Sequence, residues 1–245
     1  MYFVFLLSLG IVFFYSIISS SLGLGGGVVF TPLFLWQGYS YHSSATMSQL
    51  LILSISLGAF YHYSPFIDYK LVAILEPLTM AGAFAGGWAS SFLSENFCKL
   101  LFAILLILSV FSLEHRNKLP TTHSTSKEHF RILFPVVFLA GMLSGILGIG
   151  GASIIIPAMI LLGDIPLKIT IASSSLMVGI TALLGFWGHY ICGHFTRGFS
   201  WWFMVAGFSG AFLGSFFSVK ISYIYLKKAL EVVLILIALW VLISK

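Results

Sequence analysis

The first charged side chain in this sequence is Asp68, and everything before it is apolar or uncharged polar. Stretches of ~20 residues with few or no charges recur to the far end. A backbone in hydrocarbon has no water to bond with, so such stretches must satisfy their own N–H and C=O groups as helices. Composition agrees: 59% of residues are hydrophobic and 8% charged, with mean hydropathy +1.07, where soluble domains are roughly a quarter charged. The expected fold class is all-α, a polytopic integral membrane protein. Tyr2–Ile18 has no basic flank and runs into a glycine motif, so it reads as a helix and not as a cleavable signal. Two cysteines, Cys98 and Cys192, are too few for a disulfide framework.

One stretch occurs twice. Gly23-Leu24-Gly25-Gly26-Gly27 precedes an apolar run containing Pro32, and Gly148-Ile149-Gly150-Gly151-Ala152 precedes one containing Pro157, at an offset of 125. Gly58-x3-His62-Tyr63 matches Gly185-x3-His189-Tyr190 at 127, and Gly82-Ala83-Phe84-x-Gly86 matches Gly210-Ala211-Phe212-x-Gly214 at 128. Lys99 falls on Lys227 at the same offset. Markers in one order with a drifting offset define an internal duplication: repeats over 1–113 and 132–245, joined by a polar linker over 114–131.

Each half divides into five apolar segments: 2–22, 28–37, 45–62, 70–92 and 97–113, then 132–147, 153–162, 169–191, 199–219 and 226–243. The second segment of each half is short, about 15 Å as a helix. If these short runs cross, nine of the twelve Lys and Arg residues share one side; if they turn back, the split is seven against five. The positive-inside rule selects the first reading. It predicts two inverted five-segment repeats with short discontinuous helices after the glycine breaks, the linker cytoplasmic and both termini outside. Such helices mark transporter binding sites.

Two G-x-GG-x5-P motifs, each opening half of a polytopic chain of 245 residues, resemble the sulfite exporter TauE/SafE family, also called the 4-toluene sulfonate uptake permease family. The resemblance implies a transporter of small sulfur-containing anions (sulfite, thiosulfate, sulfoacetate or organosulfonates) in the inner or plasma membrane. Ala152 departs from the fuller first motif, with a Cβ where Gly27 has none.

The residues supply a mechanism for holding an anion. Glycine runs uncover main-chain N–H groups, and a helix N-terminus aims further N–H groups and a positive dipole end at the same place. Gly23, Gly25, Gly26, Gly27, Gly148, Gly150 and Gly151 are therefore candidate substrate ligands. Ser48, Gln49, Ser173, Ser174 and Ser175 in the following segments add neutral donors; the competing role for them is helix-to-helix hydrogen bonding. Gly82, Gly86, Gly210 and Gly214 read as close-packing residues. Glu76 is the carboxylate deepest in a segment, and with His62 and His189 is a candidate for proton coupling. His189, Cys192 and His194 have the residue types of a metal site, but their loose spacing lacks a fourth ligand, so neither metal nor cofactor is assigned. No HExxH or GxSxG occurs, and an enzyme is not expected. The expected partners are the anion, protons and lipid, with no nucleic acid. A passive anion channel using the same constriction is the alternative function.

Overall fold

The computed structural model describes residues 2–23, 25–114, 127–163, 165–196 and 198–218. The last expected segment, with Lys227 and Glu231, and most of the linker lie outside these. The described residues form α1 (Tyr2–Ser21), α2 (Gly27–Trp36), α3 (Tyr41–Tyr63), α4 (Tyr69–Ala89), α5 (Glu95–Glu114), α6 (Lys127–Leu147), α7 (Ala152–Leu161), α8 (Leu167–Ile191) and α9 (Trp202–Ser218), with no strand among them. Among the described residues, four helical stretches are long and apolar enough to cross a membrane: Phe3–Ser21, Tyr41–Phe66, Tyr69–Phe92 and Lys168–Ile191. The protein is an all-α polytopic membrane protein.

Local chemistry sets the helix starts. Ser40 caps α3 by accepting from the Ser43 amide at 3.3 Å, and Asp68 caps α4 by accepting from the Lys70 and Leu71 amides at 3.1 Å. Helix α6 begins five residues before the apolar run, at Lys127. A helix that leaves the apolar layer keeps its internal hydrogen bonds, so charge alone does not end it.

Close approaches fix how the helices run. A Cβ on Gly82 or Gly86 of α4 would strike the carbonyls of Phe138 or Met142 of α6; on Gly210 or Gly214 of α9 it would strike those of Phe13 or Ile17 of α1. Residue numbers rise together in both seams, so α4 is parallel to α6, and α9 to α1. Phe13 and Phe138, like Ile17 and Met142, stand 125 apart, the offset of the glycine breaks. The packing role expected of these four glycines is thus met on equivalent partners.

The same logic extends inward. Glu76 meets Thr181 while Ser90 meets His189, so α4 is parallel to α8. Ser54 meets Met204 while His62 meets Ser215, so α3 is parallel to α9. Ser56 reaches the Ser175 carbonyl while Gln49 lies against Gly185, so α3 and α8 are antiparallel. Helices α1, α3 and α9 therefore point one way, and α4, α6 and α8 the other. Because α1 and α3 agree in direction, the chain returns between them through the first break and α2. It does the same through α7 between α6 and α8.

Candidate functional site

Both glycine breaks take one backbone shape. Gly23, Gly25 and Gly26 have φ of 69, 70 and 81°; Gly148, Gly150 and Gly151 have 69, 80 and 71°. These are left-handed values that a Cβ disfavours. Gly26 and Gly151 are the N-caps of α2 and α7, and neither helix has a side-chain cap. In the second break the Gly148 amide donates to Ser144, and the Ile154 and Ile155 amides to the Gly151 carbonyl. Among the described residues, the amides of Gly150, Gly151, Ala152 and Ser153 meet no main-chain acceptor.

The breaks touch each other half-way along α3 and α8. A Cβ on Gly25 or on Gly150 would run into Val178 of α8 and Ile52 of α3, and one on Gly27 into the Gly148 carbonyl and Ile149 Cα. That contact explains the departure noted in the sequence. Position 27 abuts the main chain of the other break and has no room for a methyl, whereas Ala152 occupies its place fully buried. Ile52 and Val178 thus form an apolar closure over both breaks.

Polar groups surround this junction. Ser48 donates to the Gly148 carbonyl at 2.7 Å, Thr31 to the Leu147 carbonyl at 3.3 Å, and Gln49 Nε2 to the Gly145 carbonyl at 3.2 Å. Ser173 Oγ accepts from the Asp68 amide at 3.0 Å, and Ser174 donates to the Ile171 carbonyl at 3.2 Å. Ser175 gives its carbonyl to Ser56 at 2.7 Å. The hydroxyls of Ser48 and Ser173 are therefore engaged between elements, and that of Ser174 with the preceding turn of α8.

Two serines that the motif reading passed over stand out. Ser19 of α1 and Ser144 of α6 are both fully buried, and their hydroxyls meet no partner among the described residues. Ser19 Oγ is 3.0 Å from where Gly26 would carry a Cβ, and Ser144 Cβ is 3.3 Å from the equivalent point at Gly151. A buried hydroxyl without a partner calls for an explanation such as a ligand or water. The signal was present in the sequence, since the two are 125 apart, like the breaks they flank.

Glu76, in contact with the second half, accepts from Thr79 Oγ1 at 2.7 Å and from Thr181 Oγ1 at 3.0 Å. His62 Nδ1 lies 3.0 Å from Ser215 Oγ, and His189 Nδ1 lies 3.2 Å from Ser90 Oγ. Each histidine thus meets a serine at the far end of the other half's fourth helix. Cys192 points its thiol at the Trp88 carbonyl, 3.8 Å away. His194 stacks on His42 with ring centres 4.7 Å apart, and burial followed by the nearby His42 lowers its pKa below the usual imidazole value.

A polytopic helical chain with half-length helices opening from paired glycine breaks belongs to the class of membrane transporters. Its particular family follows from comparison: residues 8–241 match the family model described as sulfite exporter TauE/SafE. The chain belongs to that family. It is 27% identical to the probable membrane transporter protein YunE of Bacillus subtilis, over 87% of this chain and 86% of that one. It is 34% identical over 125 residues to sulfite exporter TauE/SafE family protein 6 of Arabidopsis thaliana, covering 50% of this chain and 29% of the plant protein. A probable membrane transporter protein of Xylella fastidiosa is 26% identical over 82% of this chain and 80% of its own length. No solved structure matches. Members of this family are named as transporters and not as enzymes.

Proposed function

We propose that this protein is a secondary carrier for a small sulfur-containing anion such as sulfite, thiosulfate, sulfoacetate or an organosulfonate. It works through two inverted five-segment repeats in the inner or plasma membrane, with the central linker cytoplasmic and both termini outside. The observation that carries the reading is the meeting of two positive-φ glycine breaks half-way along α3 and α8. Opposed directions of α1 and α6, and of α3 and α8, support the inversion.

The anion is held by the amides of Gly25, Gly26 and Gly27 on one side and of Gly150 and Gly151 on the other, while Gly23 and Gly148, whose amides donate to the Ser20 and Ser144 carbonyls, shape the two turns. The buried hydroxyls of Ser19 and Ser144 complete each cradle. Neutral donors and helix dipoles suit this depth, because a fixed cation there would be expensive to bury. Ser48 braces the second break through the Gly148 carbonyl and Gln49 braces α6 just before it, while Ser173 and the Ser175 carbonyl hold α8 to its neighbours and Ser174 bonds within α8. Ile52 and Val178 close the site, and moving them apart admits the anion from one side at a time. The sulfur anion is supported by the family name and by the donor set.

The cradle is tested by thermal stabilisation of the purified protein with sulfite, thiosulfate, sulfoacetate, sulfate and chloride, since a ligand of the native form raises its apparent stability. A sulfur oxyanion is expected to stabilise and chloride is not. A hydrogen bond to a charged group contributes ~1.5–3 kcal/mol. Ser19→Ala and Ser144→Ala are therefore each expected to weaken that ligand by ~10-fold or more. Unchanged affinity in both would remove the hydroxyls from the site.

Proton coupling is placed on Glu76, with His62 beside Ser215 as the second candidate, while His189 is held by the Gly145 carbonyl and is left out of the relay. Glu76→Gln keeps the side-chain shape and the Thr79 and Thr181 contacts but cannot ionise. In reconstituted vesicles an imposed pH step is expected to drive accumulation by the wild type and not by Glu76→Gln, with exchange at equal pH retained. Flux that ignores a pH step in the wild type and only follows the anion gradient would favour the channel.

A further inference from the structure

His42, His189 and His194 come from three separate places in the chain and converge. His42 lies in the first turn of α3, His189 in the last turn of α8, and His194 in the loop that follows. Each offers a ring nitrogen, and the three nitrogens lie within 4.8 Å of one another. They meet because α3 and α8 are antiparallel, which brings the start of one beside the end of the other.

The ring tautomers favour coordination. His189 Nε2 is 2.7 Å from the Gly145 carbonyl and donates its proton there. That leaves Nδ1 with its lone pair, facing His194 Nδ1 at 3.3 Å and Ser90 Oγ at 3.2 Å. A backbone carbonyl that fixes the far nitrogen is the usual outer-shell support of a metal-bound histidine. His42 Nδ1 is buried and has no hydrogen-bond partner among the described residues. A buried orphan nitrogen beside two other imidazoles is what a ligand set looks like without its ion.

We infer that His42, His189 and His194 form a site for a transition-metal dication of the zinc type, tying the start of α3 to the end of α8. Three imidazoles leave the fourth tetrahedral position to water, with the Ser90 hydroxyl beside it. The two helices joined are those that carry Ile52 and Val178, so the ion clasps the pair that closes the glycine breaks. His189 reaches the Gly145 carbonyl, one residue from Ser144, so the cluster borders the second break while sharing no donor with the anion cradle.

The test uses the full chain, purified in detergent without a histidine tag, titrated with Zn2+ and with Co2+ as a spectroscopic stand-in. One equivalent of Zn2+ is expected, and Co2+ is expected to give the strong visible bands of a four-coordinate site. His42→Ala and His194→Ala are each expected to weaken binding by at least ~10-fold and abolish the bands. His62→Ala, outside the cluster, is expected to change neither. His194 lies in a loop, so its variant reports on the site without disturbing the helix packing around His189. Absence of a one-equivalent site, or Co2+ bands that persist in both variants, would overturn the inference whatever the transport assays give.

Discussion

Valine in place of Gly25 or Gly150 is expected to abolish anion uptake. Both glycines hold positive φ, 70 and 80°, where a β-branched residue is strained by ~1–3 kcal/mol. Their would-be Cβ atoms point at Val178 and Ile52, so the new side chain wedges the closure and covers the neighbouring amides. Two effects are thus combined, and a second variant separates them. Val178→Ala alone leaves both breaks intact and is expected to retain uptake. Gly25→Ala in the Val178→Ala background has room for its methyl yet keeps the unfavourable φ and the covered amides. It is expected to be present in the membrane at the level of Val178→Ala while remaining inactive. Uptake is measured in vesicles, with membrane levels and gel filtration of the extracted protein as the check on folding. Wild-type uptake by that double variant would sink the main-chain cradle.

Much of this was legible in the residues because membrane helices announce themselves by their lack of charge. Seven of the apolar segments became α1 to α5, α7 and α8 with ends shifted by a few residues, and the glycine breaks became the N-caps of α2 and α7. The paired markers Gly82/Gly86 and Gly210/Gly214 gave their packing role directly, since a small residue at two successive turns leaves a groove for another backbone. The end of the linker was harder: Lys127 and Arg131 look like loop residues, yet the helix runs through them.

The site was less readable for a different reason. Hydroxyl and amide side chains near a glycine break look alike in sequence, whether they serve a ligand or a neighbouring carbonyl. Ser48 and Gln49 turned out to bond to the carbonyls of the second break and of α6. Ser19 and Ser144, placed one helix earlier, have the unmet hydroxyls. The histidine cluster was only partly visible: His189 and His194 stood near Cys192 as residue types of a metal site, but nothing in the sequence adds His42, which shares neither a helix nor a repeat position with His194. Only the antiparallel pairing of α3 and α8 brings them together, and sequence spacing cannot express that.

The second large effect concerns the seams between the halves. Helix association in a bilayer draws little on the hydrophobic effect and depends on close packing of small residues. At Gly86 a Cβ would enter the Met142 carbonyl, and at Gly214 the Ile17 carbonyl. Backbone cannot swing aside as the end of a side chain can, so relief requires α4 to part from α6, or α9 from α1. Gly86→Val and Gly214→Val are each expected to lose ~3 kcal/mol or more, the upper range for an overpacked core, and to lower the unfolding temperature of the purified protein accordingly. Gly10→Ala is the matched control: it lies in α1, and a methyl there would meet nothing within 4 Å among the described residues. It is expected to be neutral or to gain ~0.5–1 kcal/mol from the glycine's lost freedom. The decisive comparison is between the two seams. If the halves exchange equivalent helices, the two valine variants must fall together, because each breaks the same contact in its own copy. A large loss at Gly86 with none at Gly214 would mean that only one seam bears load, and the reciprocal packing that the proposed carrier motion requires would have to be given up.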